Sequence, residues 1–232
     1  MKFVYSSTRS YYPFMLWSIT SLLEYNEVEK IYILAEDDTI PFDIPCQHEI
    51  INYSGQTYFT KDCPNYNSPW AYIALIYVLI PEFLKKEDKI IYLDQDTVIL
   101  ENLQPLWDMD LSGKWGAWCP ERTGTWKPYG DKYYNSAVSV MNLLQMRLDC
   151  FAQKCADELN KEWFRYTAQD AFNKILPQDK VVDLDTRFNE SFCCGYTDNP
   201  AIIHYAGVMD WMYNKRMYRH EYLDKYREGK IL

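Results

Sequence analysis

Residues 89–103 read KIIYLDQDTVILENL. The first five are apolar on both faces, the pattern of a central strand covered by helices on each side. The strand runs into two carboxylates one residue apart, Asp94 and Asp96, and a short apolar stretch resumes after them. In an open parallel sheet, ligands bind beyond the carboxyl ends of the strands. The pair is therefore expected at the lip of a crevice and not inside the core.

The segments before it supply such a sheet. Residues 2–6 (KFVYS) are β-branched and aromatic, a strand. Pro13 fits the first turn of a helix with Phe14, Leu16, Trp17, Ile19, Leu22 and Leu23 at helical spacing. Residues 31–35 (IYILA) form a second strand. Strand, helix, strand over so short a span implies parallel pairing. A less regular polar stretch with Pro41, Pro45 and Pro64 follows. Residues 70–84 (WAYIALIYVLIPEFL) predict a buried helix that Pro81 kinks or ends.

After the carboxylates the pattern is more mixed. Strands are expected over 115–118, 136–141, 181–184 and 201–204, and helices over 146–160 and 168–175, with a Gly/Pro/aromatic loop at 120–132. The fold class is α/β: a central, mainly parallel mixed sheet flanked by helices in one domain. Its halves divide near residue 110, with a tail over 211–232.

Composition narrows the partners. The 232 residues are 48% apolar and 17% aromatic, enough for a large core. The net charge of −9 argues against nucleic acid, which needs a basic surface. Seven cysteines without CxxC or zinc spacing read as thiols in a reducing compartment. With no signal-peptide pattern and no apolar run long enough to span a bilayer, a cytoplasmic protein is expected. The Lys- and Arg-rich tail, residues 215–230, would allow weak peripheral contact with a membrane.

Three D-x-D pairs occur: Asp94/Asp96, Asp108/Asp110 and Asp183/Asp185. The second lies in a turn-like WDMDLSGK, and the third has no apolar run soon after it. Only the first interrupts an apolar strand. Adjacent carboxylates repel and are costly to bury unpaired, and a divalent cation resolves both problems. Oxygen ligands suit Mg²⁺ or Mn²⁺. Of three histidines, His204 follows the apolar run AII at a strand end; an imidazole beside two carboxylates leans toward Mn²⁺.

Six segments in order resemble the family 8 retaining nucleotide-sugar glycosyltransferases of the GT-A fold. They are MKFVYSSTRSYYPFMLWSITSLL (1–23), the block 69–96 ending in IIYLDQD, YNSAVSVMNL (134–143), QDAFN (169–173), VDLDTRFN (182–189) and HYAG (204–207). The resemblance implies a single Rossmann-like domain that moves a hexose from a UDP-sugar, glucose or galactose, to a glycan, glycolipid or glycoprotein. It implies that Asp94, Asp96 and His204 hold Mn²⁺, with Mg²⁺ as the other candidate. Ser6, Thr8 and Tyr11 would line the nucleoside pocket. Asn135 and Asp170 would hold sugar hydroxyls, and Gln169 would lie near the anomeric carbon. Gly207 would admit the phosphates, and Lys215 would reach the diphosphate.

Thr8, Ala74, Ala137 and Ala168 depart from the family's Asp, Arg, Gly and Asp. Two other readings remain at this point. IIYLDQDTV also fits a haloacid-dehalogenase-type phosphatase, with Asp94 as nucleophile and Asp96 as acid/base. The missing Arg, Lys and Asp also fit a catalytically silent nucleotide-sugar-binding domain.

Overall fold

The structure is a computed structural model that describes residues 1–68, 72–122 and 129–206. Gly207, Lys215 and the basic tail lie outside these residues. The KFVYSS run forms β1 (Lys2–Ser7), Pro13 sits in the first turn of α1 (Tyr12–Tyr25), and KIYILA forms β2 (Lys30–Ala35). β1 and β2 pair in parallel from Lys2↔Lys30 to Ser7↔Ala35. KIIYL is β4 (Lys89–Leu93), in parallel contact with β1.

The less regular polar stretch contains a further strand, β3 (His48–Asn52), parallel to β2 at the sheet edge. Its residues are exposed or half-buried, so it lacks the apolar signature of its neighbours. An edge strand covered on few sides needs no continuous apolar run.

Beyond β4 come β5 (Thr97–Ile99), β6 (Gly116–Pro120), β7 (Tyr134–Asn142), β8 (Val181–Asp183) and β9 (Ile202–His204). The main sheet runs β3-β2-β1-β4-β7-β6-β8, and β5 with β9 forms a separate two-stranded sheet. β7 is antiparallel to β4 and to β6, so β6 points the same way as β4. The carboxyl ends of β1, β4 and β6 and the start of β7 therefore meet at one sheet edge. Both faces are covered: Trp118, Tyr77, Phe172 and Phe151 are buried on one side, and Met15, Ile19, Leu22 and Leu103 on the other.

Two helices depart from expectation. The apolar segment around Pro81 is not one helix. It is α2 (Ile73–Ile76), a 3₁₀ turn over Tyr77–Leu79, and α3 (Ile80–Phe83), with Pro81 opening the last piece where its missing N–H is harmless. After the short α4 (Gln104–Trp107), the segment expected as one helix over 146–160 divides into α5 (Leu143–Leu148) and α6 (Phe151–Lys161). The break falls at Cys150, which adopts φ 56°. Nothing in its residue type announces a left-handed conformation, which Gly or Asn would normally take. α7 (Thr167–Ile175) closes the helical layer beside α6.

The β6–β7 pairing breaks its own register. Trp118 pairs with Ser139, but Cys119 pairs with Asn135. Three residues of β7, 136–138, thus bulge away from β6. Bulges of this kind occur beside active sites, where they re-aim groups that the ladder would otherwise occupy.

Gly116 marks the tightest packing in the sheet. A Cβ there would lie 2.4 Å from the Val140 carbonyl oxygen and 2.7 Å from the Trp118 ring. Gly116→Ala is expected to lower stability by about 1–3 kcal/mol, the cost of overpacking a closed core. Denaturant unfolding measures it; an unchanged midpoint would show that the Trp118 side of the sheet can relax.

Candidate active site

Asp94 and Asp96 sit in the turn between β4 and β5, half-buried at the sheet edge and not within it. The turn is fixed from below by a line of hydroxyls. Thr97 Oγ1 donates to the Asp94 carbonyl at 2.7 Å. With its proton committed, Thr97 Oγ1 accepts from Ser18 Oγ at 2.8 Å, and Ser18 accepts from Tyr5 OH at 3.1 Å. Ser21 Oγ, one turn along α1, accepts from the Ile99 amide at 3.0 Å. Both serines are fully buried, so the S-I-x-S spacing of α1 is a dock for β5.

The Asp94 carboxylate accepts from Tyr92 OH, which in turn stands 2.9 Å from Ser6 Oγ. Tyr92 and Asp94 share a strand face because they are two residues apart. That spacing was the signal for Tyr92, which sequence reasoning passed over. Ser6 is buried, and its hydroxyl meets Tyr92. Asp96 Oδ1 is buried and accepts no hydrogen bond among the described residues.

His204 ends β9, whose pairing with β5 sets Thr97 opposite His204. The Tyr205 amide donates to the Asp96 carbonyl at 3.0 Å, which holds the two segments together. One ligand atom each from Asp94, Asp96 and His204 lies within 4.8 Å of the others, and His204 Nε2 is 3.6 Å from Asp96 Oδ1. Two oxygens and one imidazole nitrogen, one oxygen buried without a donor, suit a divalent cation such as Mn²⁺.

The tautomer of His204 follows from one backbone amide. The Ala137 N–H can only donate, so the Asn135 atom at 3.1 Å is Oδ1. The Asn189 atom 2.9 Å from that oxygen must then be Nδ2, which turns Asn189 Oδ1 toward His204 Nδ1 at 2.9 Å. Nδ1 carries the proton, and the Nε2 lone pair faces the carboxylates. A side chain that holds the far ring nitrogen of a histidine and so fixes its ring and tautomer is the usual support of a metal ligand.

Burial and the neighbouring Asp96 charge push Asp94 up to about 7, against the opposing pull of His204 and Tyr92. Burial raises Asp96 to about 6. Burial lowers His204 to about 4, so its ring is neutral across the physiological range. Tyr11 is raised by burial and, to a smaller extent, by the Asp96 charge. Thr8 Oγ1 is 3.2 Å from Ser10 Oγ on the exposed turn before α1.

The remaining predicted residues surround the start of β7. Gln169 Oε1 accepts from the Ser136 amide at 2.9 Å and from Ser136 Oγ at 3.1 Å. Its Nε2 donates to Tyr133 OH and to Glu121 Oε1, both at 3.1 Å. Asp170 is buried, and its two oxygens accept from Tyr133 OH at 2.6 Å and from the Tyr166 amide at 2.8 Å. Thr167, which opens this helix, holds φ 44°, a strained conformation for a β-branched residue. Glu121, Tyr133 and Asn189 were not singled out from the sequence. Glu121 follows the carboxyl end of β6, so the sheet-edge reasoning that selected Asp94 would also have selected it.

The other D-x-D pairs do structural work. Asp110 Oδ1 accepts from the Ser112 amide at 2.9 Å in a turn, and Asp185 accepts from the Arg187 amide at 2.9 Å. Asp183 accepts from Tyr134 OH at 2.8 Å.

Residues 2–213 match the Glycosyl transferase family 8 model. The chain belongs to this family. A putative glycosyltransferase of Haemophilus influenzae is 27% identical over 82% of the chain and 63% of its own length. General stress protein A of Bacillus subtilis is 28% identical over 62% of the chain and 61% of its own. The chain thus spans about six tenths of the length of these relatives. Among solved structures, the galactosyltransferase LgtC with donor and acceptor sugar analogues superposes with a TM-score of 0.74 at 18% identity, covering 98% of this chain and 94% of LgtC. GlyE of Streptococcus pneumoniae gives 0.73 at 20% identity, over 100% of this chain and 60% of its own. These likenesses show that the fold is the one these transferases share.

Two outcomes follow. Asn189→Ala should lower divalent-cation affinity about 10- to 100-fold with the fold retained, because His204 loses its orienting partner. Cation affinity should also climb between about pH 5 and 7 and level off above. A cation must displace protons from carboxylates whose pKa values are raised, whereas His204 holds none above about pH 4. Calorimetric titration with Mn²⁺ over a pH series checks both; affinity independent of pH would remove the carboxylates from the ligand set.

Proposed function

We propose that this protein is a metal-dependent retaining glycosyltransferase that moves a hexose from a UDP-sugar to a hydroxyl of a glycan, glycolipid or glycoprotein. The observation that carries the reading is the convergence of Asp94, Asp96 and the Nε2 lone pair of His204 at one sheet edge, with an unpartnered buried oxygen on Asp96. A cation held by Asp94, Asp96 and His204 would supply Lewis-acid neutralisation of the diphosphate leaving group. Family membership supports the reaction class, and LgtC was captured with donor and acceptor analogues.

In this reading Tyr11 and Thr8 lie along the nucleoside, and Tyr92 holds the Asp94 carboxylate in place. Asn135, Asp170 and Gln169 meet the sugar. The sugar departs and is received on the same face, with the acceptor proton passing to the departing phosphate. The fixed amide of Gln169 favours this front-side course. Its carbonyl oxygen accepts from two donors of Ser136 and is held away from any role as nucleophile. The protein's part is to position groups and stabilise charge.

A phosphatase nucleophile at Asp94 has no observation in its favour. Its strand is the fourth in chain order, its carboxylate is bonded to Tyr92, and the chain belongs to a transferase family.

UDP should bind with Mn²⁺ and bind at least tenfold more weakly without it, and Asp96→Ala should abolish the difference. Calorimetry with UDP, with and without Mn²⁺, is the measurement. Equal affinity in both conditions would overturn the reading.

A further inference from the structure

Among the described residues Glu121 is the one carboxylate that joins two of the residues assigned above to the sugar, and nothing in the sequence motifs points to it. Its Oε1 accepts from Asn135 Nδ2 at 2.9 Å and from Gln169 Nε2 at 3.1 Å. The main chain sets it there: the Glu121 amide donates to the Tyr133 carbonyl at 2.8 Å, and the Arg122 amide to the Cys193 carbonyl at 2.9 Å. Strand β6 runs the same way as β4, so Glu121 stands at the same edge as Asp94.

The geometry is directional. The Ser136 and Ala137 amides fix which end of each side-chain amide is oxygen. The two NH₂ groups that remain both turn toward Glu121, and only an acceptor can stand between them. A carboxylate is the acceptor that cannot rotate into a donor. Hydrogen bonds to an ionised partner are also about twice as strong as neutral ones.

We propose that Glu121 is a positioning residue for the transferred sugar. Its carboxylate locks the Asn135 and Gln169 amides in the orientation that receives the sugar ring, while taking no part in holding nucleotide or cation. This rests on the function proposed above.

Glu121→Leu separates the two roles. A leucine keeps much of the volume but offers no acceptor, so the Asn135 and Gln169 NH₂ groups lose the oxygen they share. Turnover of the UDP-sugar, read as hydrolysis or transfer, should fall about 10- to 100-fold. Mn²⁺-dependent affinity for UDP should stay within twofold of wild type. In a Gln169→Ala background the same change should have little further effect, because the group it positions is gone. Glu121→Asp, which keeps the charge, should recover part of the turnover.

A second readout needs no donor. In ¹⁵N–¹H spectra the side-chain amide signals of Asn135 and Gln169 should exchange slowly with solvent in the wild type and quickly in Glu121→Leu. Wild-type turnover in Glu121→Leu, full additivity with Gln169→Ala, or unchanged amide exchange would each overturn the proposal. Loss of UDP binding in the wild type would instead overturn the function on which it rests, and the amide exchange would still report on Glu121.

Discussion

The site depends on two backbone N–H groups that the sheet does not use. Where β7 bulges away from β6, Ser136 and Ala137 cannot pair with a neighbouring strand on that side. Buried amides must still find acceptors. They find them in side chains: Gln169 for Ser136, and Asn135 for Ala137. From these two bonds the polarity of the network follows by exclusion, through Asn189 to His204 in one direction and to Glu121 in the other. A regular ladder would have satisfied the same amides within the sheet and left every side-chain amide free to flip. The bulge is the fixed point from which the donor and acceptor roles are read.

Against this fixed frame the carboxylate pair is held in an unfavourable state. Asp94 and Asp96 are brought together in partly buried surroundings, with no Lys or Arg paired to either among the described residues. Burial raises both toward neutrality, the Asp96 charge adds to the effect on Asp94, and His204 is kept uncharged. The hydroxyl line from Tyr5 through Ser18 and Thr97 prevents the turn from relaxing outward. A divalent cation held between the two carboxylates would relieve their repulsion.

Much of this was legible in the residues. The apolar strand before Asp94 gave the central position of β4, and the short β1–α1–β2 unit gave the parallel sheet. His204 was reachable because AII precedes it. What escaped reading did so for physical reasons. β3 is half-exposed and lacks apolar periodicity. The break at Cys150 is a conformation, not a composition. Glu121 and Tyr133 face each other across the ends of β6 and β7 in a register that the bulge resets, and Asn189 reaches them from a segment far along the chain. Pro81 was read as a helix breaker, whereas a proline that opens a helical piece has the same sequence appearance.

The most direct measurement is anomalous scattering from a crystal of the protein grown with Mn²⁺ and UDP. The account predicts a single strong peak in contact with Asp94, Asp96 and Nε2 of His204, with Nδ1 still bonded to Asn189 Oδ1. Ligation through Nδ1, or a peak at Asp183 or Asp110 with none at Asp96, would contradict it.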